Sequence, residues 1–151
     1  MKKLAFLALA LTVLTGCTSI TYQMTAPLPG ETLSTHSTRA TYNGTQRVPC
    51  RFMTADCPNA CDHGGLFATF TINKYLAYTQ PSKYGDEEQK TFTLRVGTNQ
   101  GTAEPTLSPA LAAAMANLQP GDTVTLDWAH VYITDPAGNQ YPERVVTRLA
   151  H

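Results

Sequence analysis

The chain has 151 residues, of which 42% are hydrophobic and only 15% charged; this fits one folded domain and excludes a polyelectrolyte too polar to build a core. Eleven Lys and Arg balance eleven Asp and Glu, so there is no basic excess to neutralise a phosphate backbone. A nucleic-acid partner is not expected.

Lys2 and Lys3 precede residues 4–14, an uncharged apolar run of eleven residues. A helix needs about 20 residues to span a bilayer, so the run has the length of a signal-peptide core. It ends in Leu14-Thr15-Gly16-Cys17, which resembles the lipobox of bacterial lipoproteins. That resemblance implies a signal peptide over residues 1–16, diacylglycerol transfer to the Cys17 thiol, cleavage before Cys17 and acylation of the new amino terminus. Several acyl chains on one residue give stable anchoring, where a single chain would be marginal. Thr18 stands where an Asp favours inner-membrane retention, so the resemblance implies the periplasmic face of an outer membrane. The mature chain keeps nine basic and eleven acidic residues.

Residues 17–37 are rich in Ser, Thr, Pro and Gly and read as a lipidated cysteine on a flexible tether, His36 included. A domain over 38–151 follows. Residues 38–52 form an expected first strand, with room for a bulge at Asn43-Gly44. Residues 66–78 form a second, with Leu66, Ala68, Phe70 and Ile72 on one face. Residues 91–96 form a third, carrying Phe92, Leu94 and Val96. Ser108-Pro109 has the chemistry of an N-cap followed by Pro at the first helical position, and Leu111, Ala114, Met115 and Leu118 recur at helical spacing. Gln119-Pro120-Gly121-Asp122 stops the helix. Val124, Leu126 and Trp128 alternate in a fourth strand, and residues 144–149 form a fifth after the turn Asp135-Pro136-Ala137-Gly138-Asn139. The order is similar to that of the OB-fold, which implies a mainly β, five-stranded barrel with one short helix between strands three and four.

Three cysteines (Cys50, Cys57 and Cys61) fall within twelve positions of one loop, with His63 two residues beyond. An oxidising periplasm predicts a disulfide among them, and spacing does not choose between the three possible pairings. Three thiolates and an imidazole also make a tetrahedral donor set for Zn or, with Met53 nearby, for Cu(I). His130 would complete such a site if the loop folds back over strand four. Cys57-Pro58-Asn59-Ala60-Cys61 is similar to the C-x-x-x-C pair of Sco-type copper chaperones, but Asp62 replaces their Pro and their thioredoxin-like strand–helix alternation is missing.

Tyr75, Tyr78 and Tyr84 flank the second loop. There they either pack their rings and wet their hydroxyls or, on an OB-like face, bind a glycan or peptide. Asp86, Glu87 and Glu88 read as a solvated loop. The chain carries no G-x-S-x-G, H-E-x-x-H or glycine-rich phosphate loop, and nothing in it gives reason to propose an enzyme or an obligatory cofactor. The sequence thus points to a membrane-anchored envelope module that binds a protein or glycan partner or serves a structural role. A metal-binding protein is the alternative.

Overall fold

In the computed structural model, residues 21–49, 64–98 and 107–151 are described. Cys17, Cys50, Cys57, Cys61 and His63 lie outside them. The described chain is mainly β. Its strands are β1 (Thr21–Gln23), β2 (Glu31–Val48), β3 (Gly65–Thr79), β4 (Thr91–Gly97), β5 (Thr123–Thr134) and β6 (Gln140–Ala150), and its one helix is α1 (Pro109–Ala116), between β4 and β5. All neighbouring strands pair antiparallel, in the order β1-β6-β5-β2-β3-β4.

Two expectations need correction. The sheet has six strands rather than five, and it does not close: β4 and β1 remain as edges. Across the gap, Tyr22, Leu94, Leu107, Leu111 and Val146 line a cleft of about 190 Å³. The edges therefore face one another without exchanging hydrogen bonds, and the side chains between them do the filling. The domain also reaches back well before residue 38. Tyr22 pairs with Leu149 in β1, and β2 starts at Glu31, so much of the expected tether belongs to the sheet.

The reason lies in the face that β2 turns inward. Ser34, His36, Thr38, Ala40 and Tyr42 are all buried, and from Ser34 onward they alternate with more exposed residues. The period is that of a strand, but the first three residues are polar. Burying them requires hydrogen bonds, and the Thr38 hydroxyl donates to the Leu126 carbonyl at 2.8 Å. On the opposite face, Asn43 donates to the Thr71 hydroxyl at 2.9 Å and Asn73 to the Thr41 hydroxyl at 2.8 Å, cross-strand pairs that suit a solvated surface.

The apolar patterns of the other elements build the core as expected. Ala68 and Phe70 from β3, Phe92 from β4, Val124, Leu126 and Trp128 from β5, and Val146 and Leu149 from β6 join one cluster. The short helix closes one end of it with Leu111, Ala114 and Met115, followed by Leu118. The Ser108 hydroxyl accepts from the Leu111 amide at 3.2 Å, so the N-cap forms as its sequence predicts. Gly44 carries the anticipated bulge. Its φ of 98° lies in the left-handed region, and the β2–β3 register shifts between Tyr42 and Gly44.

Candidate functional site

Among the described residues, the densest polar arrangement lies where β2, β3, β5 and β6 meet beneath the β3–β4 loop. Its base is aromatic. The His36 ring stacks on Trp128 at 4.5 Å with planes 5° apart, and Tyr78 and Tyr75 tilt against the same imidazole at 5.1 and 6.0 Å. Phe92 packs on the indole at 4.6 Å. Alternation aims His36 and Trp128 at the same side, because the two residues are register partners on adjacent strands.

The loop is fastened over this base by groups from four strands. The Ser82 amide donates to the Leu33 carbonyl at 3.3 Å. The Asp86 amide donates to the Ser34 hydroxyl at 3.1 Å, and that hydroxyl lies 2.9 Å from His36 Nε2. The Gln89 amide donates to the Tyr75 hydroxyl at 2.6 Å, and the Tyr78 hydroxyl donates to the Asp86 carbonyl at 3.0 Å. The Asp86 carboxylate receives Arg144 through two hydrogen bonds of 2.6 and 3.0 Å and approaches His130 Nδ1 to 3.5 Å. Gly85 permits the approach: a Cβ there would sit 2.3 Å from the Leu33 carbonyl oxygen.

Charge and burial set the protonation states. Burial lowers the His36 pKa from 6.5 to about 4; the Asp86 charge opposes this, and His130 and Arg144 add to it. His36 is therefore neutral at physiological pH. A Ser34 hydroxyl that accepts from Asp86 and donates to Nε2 suits that state. Burial pushes the Asp86 carboxyl up, but the hydrogen bonds and charge of Arg144, aided by His130 and His36, outweigh it and hold the group below its ordinary value.

Both shifts destabilise the fold in acid. The unfolded chain takes a proton on His36 below about pH 6.5, whereas the folded chain takes one only near pH 4, so stability falls as pH falls through that interval. Asp86 adds stability that is present above its ordinary pKa and is lost as pH drops through its lowered folded value. We expect a melting temperature that is flat above neutrality and falls between pH 6.5 and 4, with a loss of about 2 kcal/mol from His36 after allowing for solvent screening. His36→Gln should flatten that slope in a pH series of thermal melts; an unchanged slope would refute the assignment.

A buried Ser–His contact invites comparison with a nucleophile and its base. Here Ser34 is fully buried, its oxygen is engaged on two sides, and a His with a pKa of about 4 is a weak base at neutral pH. The far side of the ring meets the Tyr75 hydroxyl at 3.4 Å rather than a carboxylate. The arrangement is built to hold a loop.

The residues singled out from sequence separate accordingly. Tyr75 and Tyr78 pack their rings inside the clamp, and their hydroxyls secure the loop. Tyr84 is 70% exposed, with the Lys83 ammonium 4.9 Å above its ring. Tyr75 also borders an open groove of about 370 Å³ with Lys74, Glu88 and Lys90. His130 is buried against Asp86 and pairs with Ser34, near the start of β2 and far from its end at Val48. Two expectations are overturned here. His36 belongs to the core rather than to a tether, and the Asp86 side chain is 13% exposed and ion-paired rather than solvated. The signal for His36 was its place in the Ser34–His36–Thr38 alternation. Asp86 and Arg144 had none, because 58 residues separate them.

Among the described residues, no group of three His, Cys, Asp or Glu side chains could hold a metal, and no helix is long and apolar enough to cross a membrane. Comparison with protein families, curated proteins and solved structures finds no match.

Proposed function

We propose that the chain is a lipoprotein held by acylated Cys17 on the periplasmic face of an outer membrane, and that its β domain is a non-catalytic binding or envelope-structural module. The observation that carries this reading is the run from Lys2 to Cys17: two positive charges, then eleven uncharged residues of which ten are apolar, ending in Leu14-Thr15-Gly16-Cys17. The domain supports it in kind. Ser34, Tyr75, Tyr78, Asp86 and Arg144 are engaged in a clamp that fastens the β3–β4 loop to the sheet. In sequence order, the five longer strands pair third-second-first-fourth-fifth, and we take this as an OB-like sheet left open between its third and fifth members. Cys50, Cys57 and Cys61 supply one disulfide in this proposal.

Labelled palmitate should enter the wild-type chain in cells, and the protein should sediment with membranes. Cys17→Ser should abolish incorporation and leave the signal peptide uncleaved. Incorporation that survives Cys17→Ser would refute the anchor. On the purified mature protein, an intact mass lower by two hydrogens would report the disulfide, whereas an increment of one zinc or copper would overturn it in favour of a metal site.

A further inference from the structure

We infer that residues 24–30, which join β1 to β2, are a releasable strap: they lie across the outer face of β5 and β6 and come away together with β1 while the rest of the sheet stays folded. Release does not depend on the anchor. Its consequence, a longer leash to the membrane, rests on the acylation of Cys17 proposed above.

Reach fixes the path. β6 and β5 stand between β1 and β2, which are three inter-strand spacings apart, or about 14 Å at about 4.8 Å each. Along the strands, Gln23 is opposite Arg148, and Glu31 is opposite Tyr132, whose other partner is Pro142. From Arg148 to Pro142 is six residues, or about 20 Å at about 3.3 Å each. The diagonal is about 24 Å, and the eight peptide steps from Gln23 to Glu31 reach at most about 29 Å. A detour round the β5–β6 turn at Gly138 needs about 33 Å along the strands alone. The segment therefore crosses the sheet nearly taut, and two thirds of the way along it passes over β5 at the row of His130.

Burial identifies the face. Trp128, Ala129, His130 and Val131 are buried in succession. Successive strand residues point to opposite faces, so both faces of β5 are covered at this row. Core and clamp cover Trp128 and His130; Ala129 and Val131, at 1% and 0% exposure, point the other way. The diagonal runs over these two residues and brings Leu28, itself partly buried, to them.

The cover is held by little. No residue from Thr21 to Gly30 is buried. β1 pairs with β6 over three residues, and the Met24 amide adds one bond to the Thr147 carbonyl at 2.8 Å. A nearly extended segment also regains conformational freedom when it leaves the sheet. Such a unit opens at a lower free energy than the core strands. With β1 docked, four peptide steps separate Cys17 from the sheet at Thr21; after release, fourteen separate it from Glu31, and the reach rises from about 14 Å to about 50 Å.

Thiol reactivity of the intact protein reads the opening, with labelled peptides identified by mass so that the native cysteines are told apart. A thiol introduced by Ala129→Cys, on the strapped face, should react at least about tenfold faster than one introduced by Ala68→Cys, at 0% exposure in the core. Adding Leu28→Ser should raise the rate at 129 by about a further tenfold and leave that at 68 unchanged. Equal rates at the two positions, or a rate at 129 indifferent to Leu28→Ser, would overturn the strap. Amide exchange of the unsubstituted protein removes any dependence on how the variants fold: the Met24 amide should exchange faster than that of Trp128, and equal rates would again overturn it. In vesicles containing a dansyl lipid, energy transfer from Trp128 of the acylated protein should fall when Met24→Pro and Leu28→Ser are combined; unchanged transfer would overturn the longer leash. The mass of the N-terminal peptide separates the two proposals. An unmodified Cys17 overturns the anchor and the leash and leaves the strap standing, whereas an acylated Cys17 with equal labelling overturns the strap alone.

Discussion

Replacing Trp128 by Ala should lower the free energy of unfolding by about 3–5 kcal/mol, the range for deleting a large buried aromatic. Trp128 is 1% exposed and touches two systems at once: one face carries the stacked His36 ring, and Phe92 packs beside it at 4.6 Å. Truncation removes the dispersion contacts of both and leaves a cavity that strands β2 and β5, hydrogen-bonded at this row, cannot collapse to fill. It also gives His36 access to water, so its pKa should rise toward the ordinary value. Because Trp128 is the only tryptophan, the measurement is urea unfolding followed by far-ultraviolet circular dichroism. A loss below about 1 kcal/mol would mean that the site is less tightly packed than its burial indicates.

Asp86→Ala is the second large effect, and its character differs. The carboxylate ties the β3–β4 loop to both Arg144 and His130, and its side chain is 13% exposed. A fully buried pair broken on one side costs about 3–5 kcal/mol. Arg144 is 47% exposed and can rehydrate, so about 2 kcal/mol is the appropriate expectation here. The loss should be largely local. The loop retains its backbone bonds to Leu33 and Ile72, so the sheet survives while the loop opens more often. Faster hydrogen exchange at the Gln89 amide, with core amides of β5 little changed, would report this. Uniform acceleration across the sheet would show that the clamp is part of the global unfolding unit instead. Asp86→Asn keeps the shape and one acceptor, and should fall between the wild type and Asp86→Ala.

The two predictions mark where sequence reasoning stops. Trp128 could be placed in the core from the sequence, because Val124, Leu126 and Trp128 alternate with polar residues and a strand turns such residues to one side. Phe70, Phe92 and the helix with its Ser108 cap were legible for the same reason: the code for each is written within a dozen residues. The bulge at Gly44 could also be anticipated, since glycine tolerates the backbone that a bulge imposes.

The start of β2, before residue 38, was not legible. Ser34, His36 and Thr38 have the right period and the wrong polarity, and they can be buried only because the β3–β4 loop and the Leu126 carbonyl satisfy them. Those partners come from distant parts of the chain. Strand β1 was invisible because three residues display no period; pairing with the end of β6 alone makes Thr21–Gln23 a strand. The same holds for the opening between β4 and β1, which depends on curvature accumulated over the whole sheet.

By itself, the sequence determined the local patterns: an apolar run ahead of Cys17, alternating strands, one capped helix and a balance of charge. Tertiary structure decided which polar residues go inside and how close the fold begins to Cys17. The physical reason is common to both. Each depends on strand register, and register joins residues that are far apart in the chain, where no local period can announce them.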